Sequence, residues 1–178
     1  MYLKNSMESD EIMQSQERIV HPIPPLYNED SRVLILGSFP SVKSREAQFF
    51  YGHPQNRFWK VVSGILGEEL PTTVPEKKAM LFAHRIALWD VIQSCDITGS
   101  SDSSIRNVVP NDLREILDHS QVERIFVNGK TAEKYYIRYT EPVLGRKAIC
   151  LPSTSPANAA WSIDRLMEEW RQIKDTIA

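Results

Sequence analysis

The chain has 178 residues, a formal net charge of −2, 42% hydrophobic and 25% charged residues, four tryptophans and two cysteines. That length fits one domain with its own core, and the near-zero charge argues against a dedicated, strongly basic nucleic-acid module while leaving room for a local patch. No apolar run reaches the roughly 18 residues a membrane span needs, and the polar N-terminus does not read as a secretory signal; a cytoplasmic monomer with no membrane contact is expected. Cys95 and Cys150 lie in or beside expected strands and read as free thiols in a reducing compartment rather than as a disulfide.

Residues 1–19 are charged, lack a sustained apolar face, and are expected to form a flexible tail or an isolated helix outside a single domain spanning 20–178. Prolines in HPIPPLYNEDS keep the next segment extended. Apolar runs then predict a buried strand at Arg32–Phe39 and a helix at Asn56–Leu66, stopped by Gly67. A second helix is expected at Pro75–His84 and a second strand at Ile86–Ile92. Asp96 to Asp112 reads as a long polar connection, either a lid or simply mobile. Helix Asn111–Ser120 with Asn111 as cap, strand Arg124–Asn128, helix Lys130–Tyr139, strand Lys147–Leu151 and helix Ser155–Ile177 complete the pattern. Strands alternating with helices predict an α/β fold, a three-layer α/β/α sandwich around a central, mostly parallel four-stranded sheet.

In such a sheet, ligands bind in the crevice outside the carboxyl ends of the strands. Those ends deliver Gly37, Ser38, Phe39 and Pro40, then Trp89-Asp90, then Asn128-Gly129, then Pro152 to Pro156. The rim offers rings, amides, a carboxylate and small residues. It has no Cys, His and carboxylate cluster at metal-ligand spacing, so neither a metal nor another cofactor is expected. GxxxxGK[ST], GxGxxG and GxSxG are all missing from the sequence. Each rim residue also has an ordinary structural reading. Asn56 can cap a helix, His53 can be satisfied by backbone, and Phe39, Phe49, Phe50 and Tyr51 can be packing residues. Asp90 can be a polar strand end, Asn128 a turn residue before Gly129, Ser153 and Ser155 caps of the last helix, and Asn158 solvated.

Three ordered segments carry a family resemblance. GSFPS followed by AQFFYGHPQNRFWKVV resembles the first motif region of the uracil-DNA glycosylase superfamily, closest to its mismatch-specific branch. FVNGKTAEKYY resembles the strand–Gly–helix segment in the middle, and LPSTSPANAAW resembles the second motif loop. GSFPS together with YGHPQNRFW is similar to the hypoxanthine-DNA glycosylase branch, whose members excise deaminated adenine. The resemblance covers residues 20–178. It implies a monofunctional DNA glycosylase of base excision repair whose partner is DNA containing a deaminated base, hypoxanthine first. Uracil or mismatch-specific excision, or an inert nucleic-acid-binding member of the fold, are the alternatives.

The resemblance also assigns roles. Mismatch-specific members carry a catalytic Asn in the first turn, where this chain has Phe39, and a phenyl ring cannot hold a water. Asn56 is then the displaced catalytic amide, with His53 assisting the leaving base. Gly37, Ser38, Phe39, Pro40, Tyr51, Asp90 and Asn128 would form the base pocket, Tyr51 stacking on the base and Asp90 accepting from a ring N–H. Ser153, Thr154, Ser155 and Asn158, at the start of the last helix, would bind the DNA backbone.

Overall fold

The computed structural model describes residues 16–177. Its strands are β1 (Gln16–Val20), β2 (Val33–Gly37), β3 (Ile86–Asp90), β4 (Ile92–Thr98), β5 (Arg106–Pro110), β6 (Arg124–Asn128) and β7 (Ile149–Leu151). Strands β3-β2-β6-β7 form one sheet, every neighbouring pair parallel. With helices packed on it, this is the expected three-layer α/β/α sandwich. The VLILG run of β2 is buried along its whole length, as a strand covered on both faces must be. Each such fully buried aliphatic side chain contributes roughly 1.5–3 kcal/mol.

The helices are α1 (Val42–Ala47), α2 (Phe58–Leu66), α3 (Val74–Ala83), α4 (Arg114–Leu117), α5 (Lys130–Tyr135), α6 (Glu141–Leu144) and α7 (Ile163–Ile177). Helix α2 buries Phe58, Trp59, Val61, Val62 and Ile65 and ends at Gly67, whose φ of 69° supplies the left-handed cap. It packs on α7, which turns Leu166, Trp170 and Ile173 inward. The Phe58 ring meets Trp170 edge-on at 5.8 Å, and the Trp170 indole N–H donates to the Pro152 carbonyl at 2.9 Å. The last helix is thereby tied to the rim.

Several expectations are corrected. Residues 16–19 of the expected tail belong to strand β1, which pairs antiparallel with β4; the rest of that tail lies outside the described residues. The Ile86–Ile92 run is not one strand. It breaks after Asp90, and the chain leaves the parallel sheet to enter a three-stranded antiparallel sheet, β1-β4-β5. Most of the Asp96–Asp112 connection is therefore the β4–β5 hairpin. The crossing is held by the Val91 and Ile92 amides, which donate to the carbonyls of Gly37 and Ser38 at 2.9 and 3.1 Å. The Asn111 side chain adds bonds to the carbonyls of Asp90 and Ile92 at 2.9 and 3.2 Å. Asn111 is thus a buried strut and not a helix cap, and the helix beyond it shrinks to Arg114–Leu117. The helix expected from Ser155 begins at Ile163, where the Ser162 hydroxyl accepts from the Arg165 amide at 3.2 Å. The helix expected through Tyr139 changes to a π turn after Tyr135.

Candidate active site

Parallel register sets the site. Gly37 stands beside Asp90 across β2 and β3, and Asn128 beside Leu151 across β6 and β7, so these strand ends open on one rim. Gly37 matters for its missing side chain: a Cβ there would sit 2.4 Å from Asp90 Oδ1. A cavity of about 740 Å³ lies over this rim, and every residue given a catalytic, base-pocket or DNA-backbone role above lines it. Its size falls within the range of small-molecule and base-sized pockets.

A chain of hydrogen bonds crosses the back of the cavity. Asn128 receives the Thr154 amide on Oδ1 at 3.1 Å and donates from Nδ2 to Thr154 Oγ1 at 3.0 Å. The Thr154 hydroxyl in turn donates to Asn56 Oδ1 at 2.9 Å, which also accepts from the Phe58 amide at 2.9 Å. Asn56 therefore does what a cap does, and both lone-pair directions of its oxygen are occupied. The Nδ2 amino group is the part of this amide left for a ligand. Thr154 is fully buried. That corrects its nomination as a backbone-binding residue: it orients Asn56 and cannot reach a phosphate.

The rest of the mouth loop is ordered by its own side chains. Ser153 Oγ accepts from the Ser155 amide at 3.1 Å, Ser155 Oγ accepts from the Ala157 amide at 3.2 Å, and Asn158 Nδ2 donates to the Ser153 carbonyl at 3.0 Å. Ser153 and Ser155 therefore cap local turns and not the last helix, which starts eight residues after Ser155. Arg57 clamps this loop. Its guanidinium donates to the carbonyls of Trp161, Ser155 and Asn158, and its amide donates to the Thr154 carbonyl at 3.0 Å.

Phe39 is half-buried at the first turn, edge-on to the His21 ring at 5.8 Å, with the Arg45 guanidinium 5.8 Å above it. Phe49 and Phe50 are core residues. Tyr51 adopts a φ of 53°, uncommon for a bulky residue, and its ring stacks on Phe58 at 3.9 Å. One face of the expected stacking platform is thus already covered. Its hydroxyl is buried without a hydrogen-bond partner. Burial first, then the nearby Asp90 carboxylate, push this phenol well above its ordinary range, with Asn128 opposing. His53 accepts from the Gln55 amide on Nδ1 at 3.1 Å, which places its ring hydrogen on Nε2.

Sequence reasoning missed His21. It lies in the proline-held connector, and nothing in that segment marks it. In the fold its Nε2 reaches Asp90 Oδ2 at 2.6 Å, with both side chains buried. Among the described residues, no group of three or more His, Cys, Asp or Glu is placed to hold a metal ion, and no helix is long and apolar enough to cross a membrane.

The family model of the uracil DNA glycosylase superfamily matches residues 24–175, and the chain belongs to that superfamily. A relative from Methanosarcina acetivorans named hypoxanthine DNA glycosylase is 38% identical over 157 residues, covering 84% of this chain and 94% of the relative. A protein of the same name from Methanosarcina barkeri is 32% identical over 140 residues, covering 76% and 85%. A solution NMR structure of a candidate uracil DNA glycosylase from Methanosarcina acetivorans superposes with a TM-score of 0.72 at 30% identity. It covers 88% of this chain and 99% of the other.

Proposed function

We propose that the protein is a monofunctional DNA glycosylase that hydrolyses the N-glycosidic bond of a flipped, deaminated base, hypoxanthine first. The relatives named hypoxanthine DNA glycosylase support the choice of base. The observation that carries the mechanism is the fixed Asn56 amide, whose Oδ1 is held by Phe58 and Thr154 while Nδ2 is left for the pocket.

A base inside duplex DNA is out of reach, so the nucleotide rotates into the 740 Å³ cavity. As the C1′–N9 bond breaks, its electron pair leaves with the base and positive charge spreads over the sugar. A water held through its oxygen by Asn56 Nδ2 adds to C1′ and sheds a proton to solvent. Because the sugar is already electron-poor, placing the water counts for more than deprotonating it. The leaving base takes up a proton from solvent, and the His53 Nε2–H serves as a hydrogen-bond donor to the departing base as negative charge builds on it. Ser153, Ser155 and Asn158 at the mouth face the flanking DNA backbone, while Phe39 walls the pocket where mismatch-specific relatives of the resemblance hold their water. No metal or other cofactor enters the scheme.

The test uses duplex oligonucleotides carrying one hypoxanthine, uracil or xanthine, with and without a chelator, followed by alkali and a denaturing gel. Strand breakage only after alkali, unaffected by the chelator, is expected for hypoxanthine. Lesion binding with no base release from any of the three would make the protein an inert member of the fold.

A further inference from the structure

A second cavity, of about 570 Å³, shares no lining residue with the base pocket. His21 lines it, while Asp90, which His21 meets at 2.6 Å, lines the other. Its size is that of a small-molecule site, and no step of the scheme above uses it. Val20, Pro22, Ile23, Pro24 and Trp89 make its apolar side. The connector is held in place there, because the Trp89 indole N–H donates to the Ile23 carbonyl at 3.3 Å and the Ile23 amide to His21 Nδ1 at 3.1 Å.

The polar side is built around Asn111, which is only 7% exposed yet lines the cavity. Its Nδ2 spends both hydrogens on the carbonyls of Asp90 and Ile92, at 2.9 and 3.2 Å, so the amide cannot turn. Oδ1 is left over. No donor among the described residues meets it, and it is not sealed in: the buried side-chain atoms without a partner are the Tyr51 and Thr140 hydroxyls. Oδ1 therefore opens into the cavity as a fixed acceptor. Two carboxylates lie beside it and no lysine or arginine lines the space. Asp112 is engaged by Arg114 at 2.9 and 2.7 Å, whereas exposed Glu115 has no ion pair among the described residues.

We propose that this cavity binds a small organic cation, an ammonium or guanidinium group carried on an apolar body. The charged group donates to Asn111 Oδ1 and lies against Glu115, and the body packs on Trp89 and the prolines. A buried acceptor that cannot turn selects a donor, the unpaired carboxylate selects positive charge, and the aromatic and proline surface rewards an apolar body. An anion would face repulsion there. A hydrated metal ion would find too few oxygens and would set its waters against the apolar side.

The experiment titrates benzylammonium, benzyl alcohol and benzoate, which share a ring and differ in charge, into the isotopically labelled full chain. The Asn111 side-chain amide and the Trp89 indole N–H are followed by NMR. Benzylammonium moves both signals to saturation with a Kd of about 1 mM or tighter, at least about 10-fold tighter than either analogue. Glu115→Gln, an exposed change, weakens it about 2- to 5-fold, and magnesium chloride moves neither signal. No saturation by about 50 mM benzylammonium overturns the site. Equal affinity for the alcohol or benzoate, or unchanged affinity in folded Glu115→Gln, overturns the selection for charge; an equal response to magnesium overturns the organic cation. If Glu115→Gln does not fold, the three analogues decide with wild type alone. Binding is read without DNA, so the outcome is independent of the glycosylase reading.

Discussion

The Thr154 hydroxyl donates to Asn56 Oδ1 at 2.9 Å across 98 residues of sequence, while both ends of the Asn128 amide hold Thr154 from behind. Two rim loops are joined through one buried oxygen.

Thr154→Val keeps the shape and removes that oxygen. Leaving the Asn56 and Asn128 partners unmatched should cost about 1–3 kcal/mol of stability. Excision of hypoxanthine should fall by roughly 10-fold or more as the amide loses its fixed orientation. Thr154→Ser should stay near wild type in both. Denaturant midpoints paired with single-turnover rates check this, and a valine variant with unchanged rate would remove Thr154 from the mechanism.

Asn56→Ala separates the cap from the chemistry. Loss of the bond to the Phe58 amide should cost about 1 kcal/mol. Loss of the water-holding amino group should slow base release by roughly two to four orders of magnitude, with lesion-DNA affinity little changed. Near-normal release by the folded variant would shift the catalytic role to His53 or Asp90.

Gly37→Ala tests how closely the carboxylate approaches the strand end. The new methyl would lie 2.4 Å from Asp90 Oδ1, so Asp90 must move. Overpacking of this kind should cost about 1–3 kcal/mol, and displacement of Asp90 should depress excision well beyond what the fall in thermal midpoint accounts for. Equal activity at equal enzyme would show that Asp90 need not hold its place.

Both cysteines are free, and burial pushes each thiol from an ordinary value of 9.0 up to about 11. The folded state therefore holds these protons more tightly than the unfolded chain. Their contribution to stability is fully present below pH 9 and is lost as the pH rises toward 11. Urea titrations should show declining stability across that window, and the Cys95→Ala/Cys150→Ala variant a shallower decline. Equal slopes would show that the thiols do not contribute. At neutral pH both should react more slowly with a thiol reagent in the native protein than in urea.

The sequence by itself determined the parallel sheet and which residues meet at its rim. Runs such as VLILG and RIFVN are apolar enough to be covered on both faces, and strands of one direction must open their carboxyl ends on one side. Gly37, Asp90, Asn128 and the Pro152–Pro156 loop were thus placed together without any long-range contact being known. Only the tertiary structure decided what those side chains do there. The break after Asp90 depends on Asn111 reaching two carbonyls, and the second sheet depends on β1 finding β4 across more than 70 residues of chain. Periodicity within a segment carries no signal of either. The same holds for the partners that fix direction, His21 on Asp90 and Thr154 on Asn56, each bond spanning some 70 to 100 residues. Local spacing sets which atoms can approach the rim; which lone pair of an amide or carboxylate remains free is set by whatever distant segment the fold packs behind it.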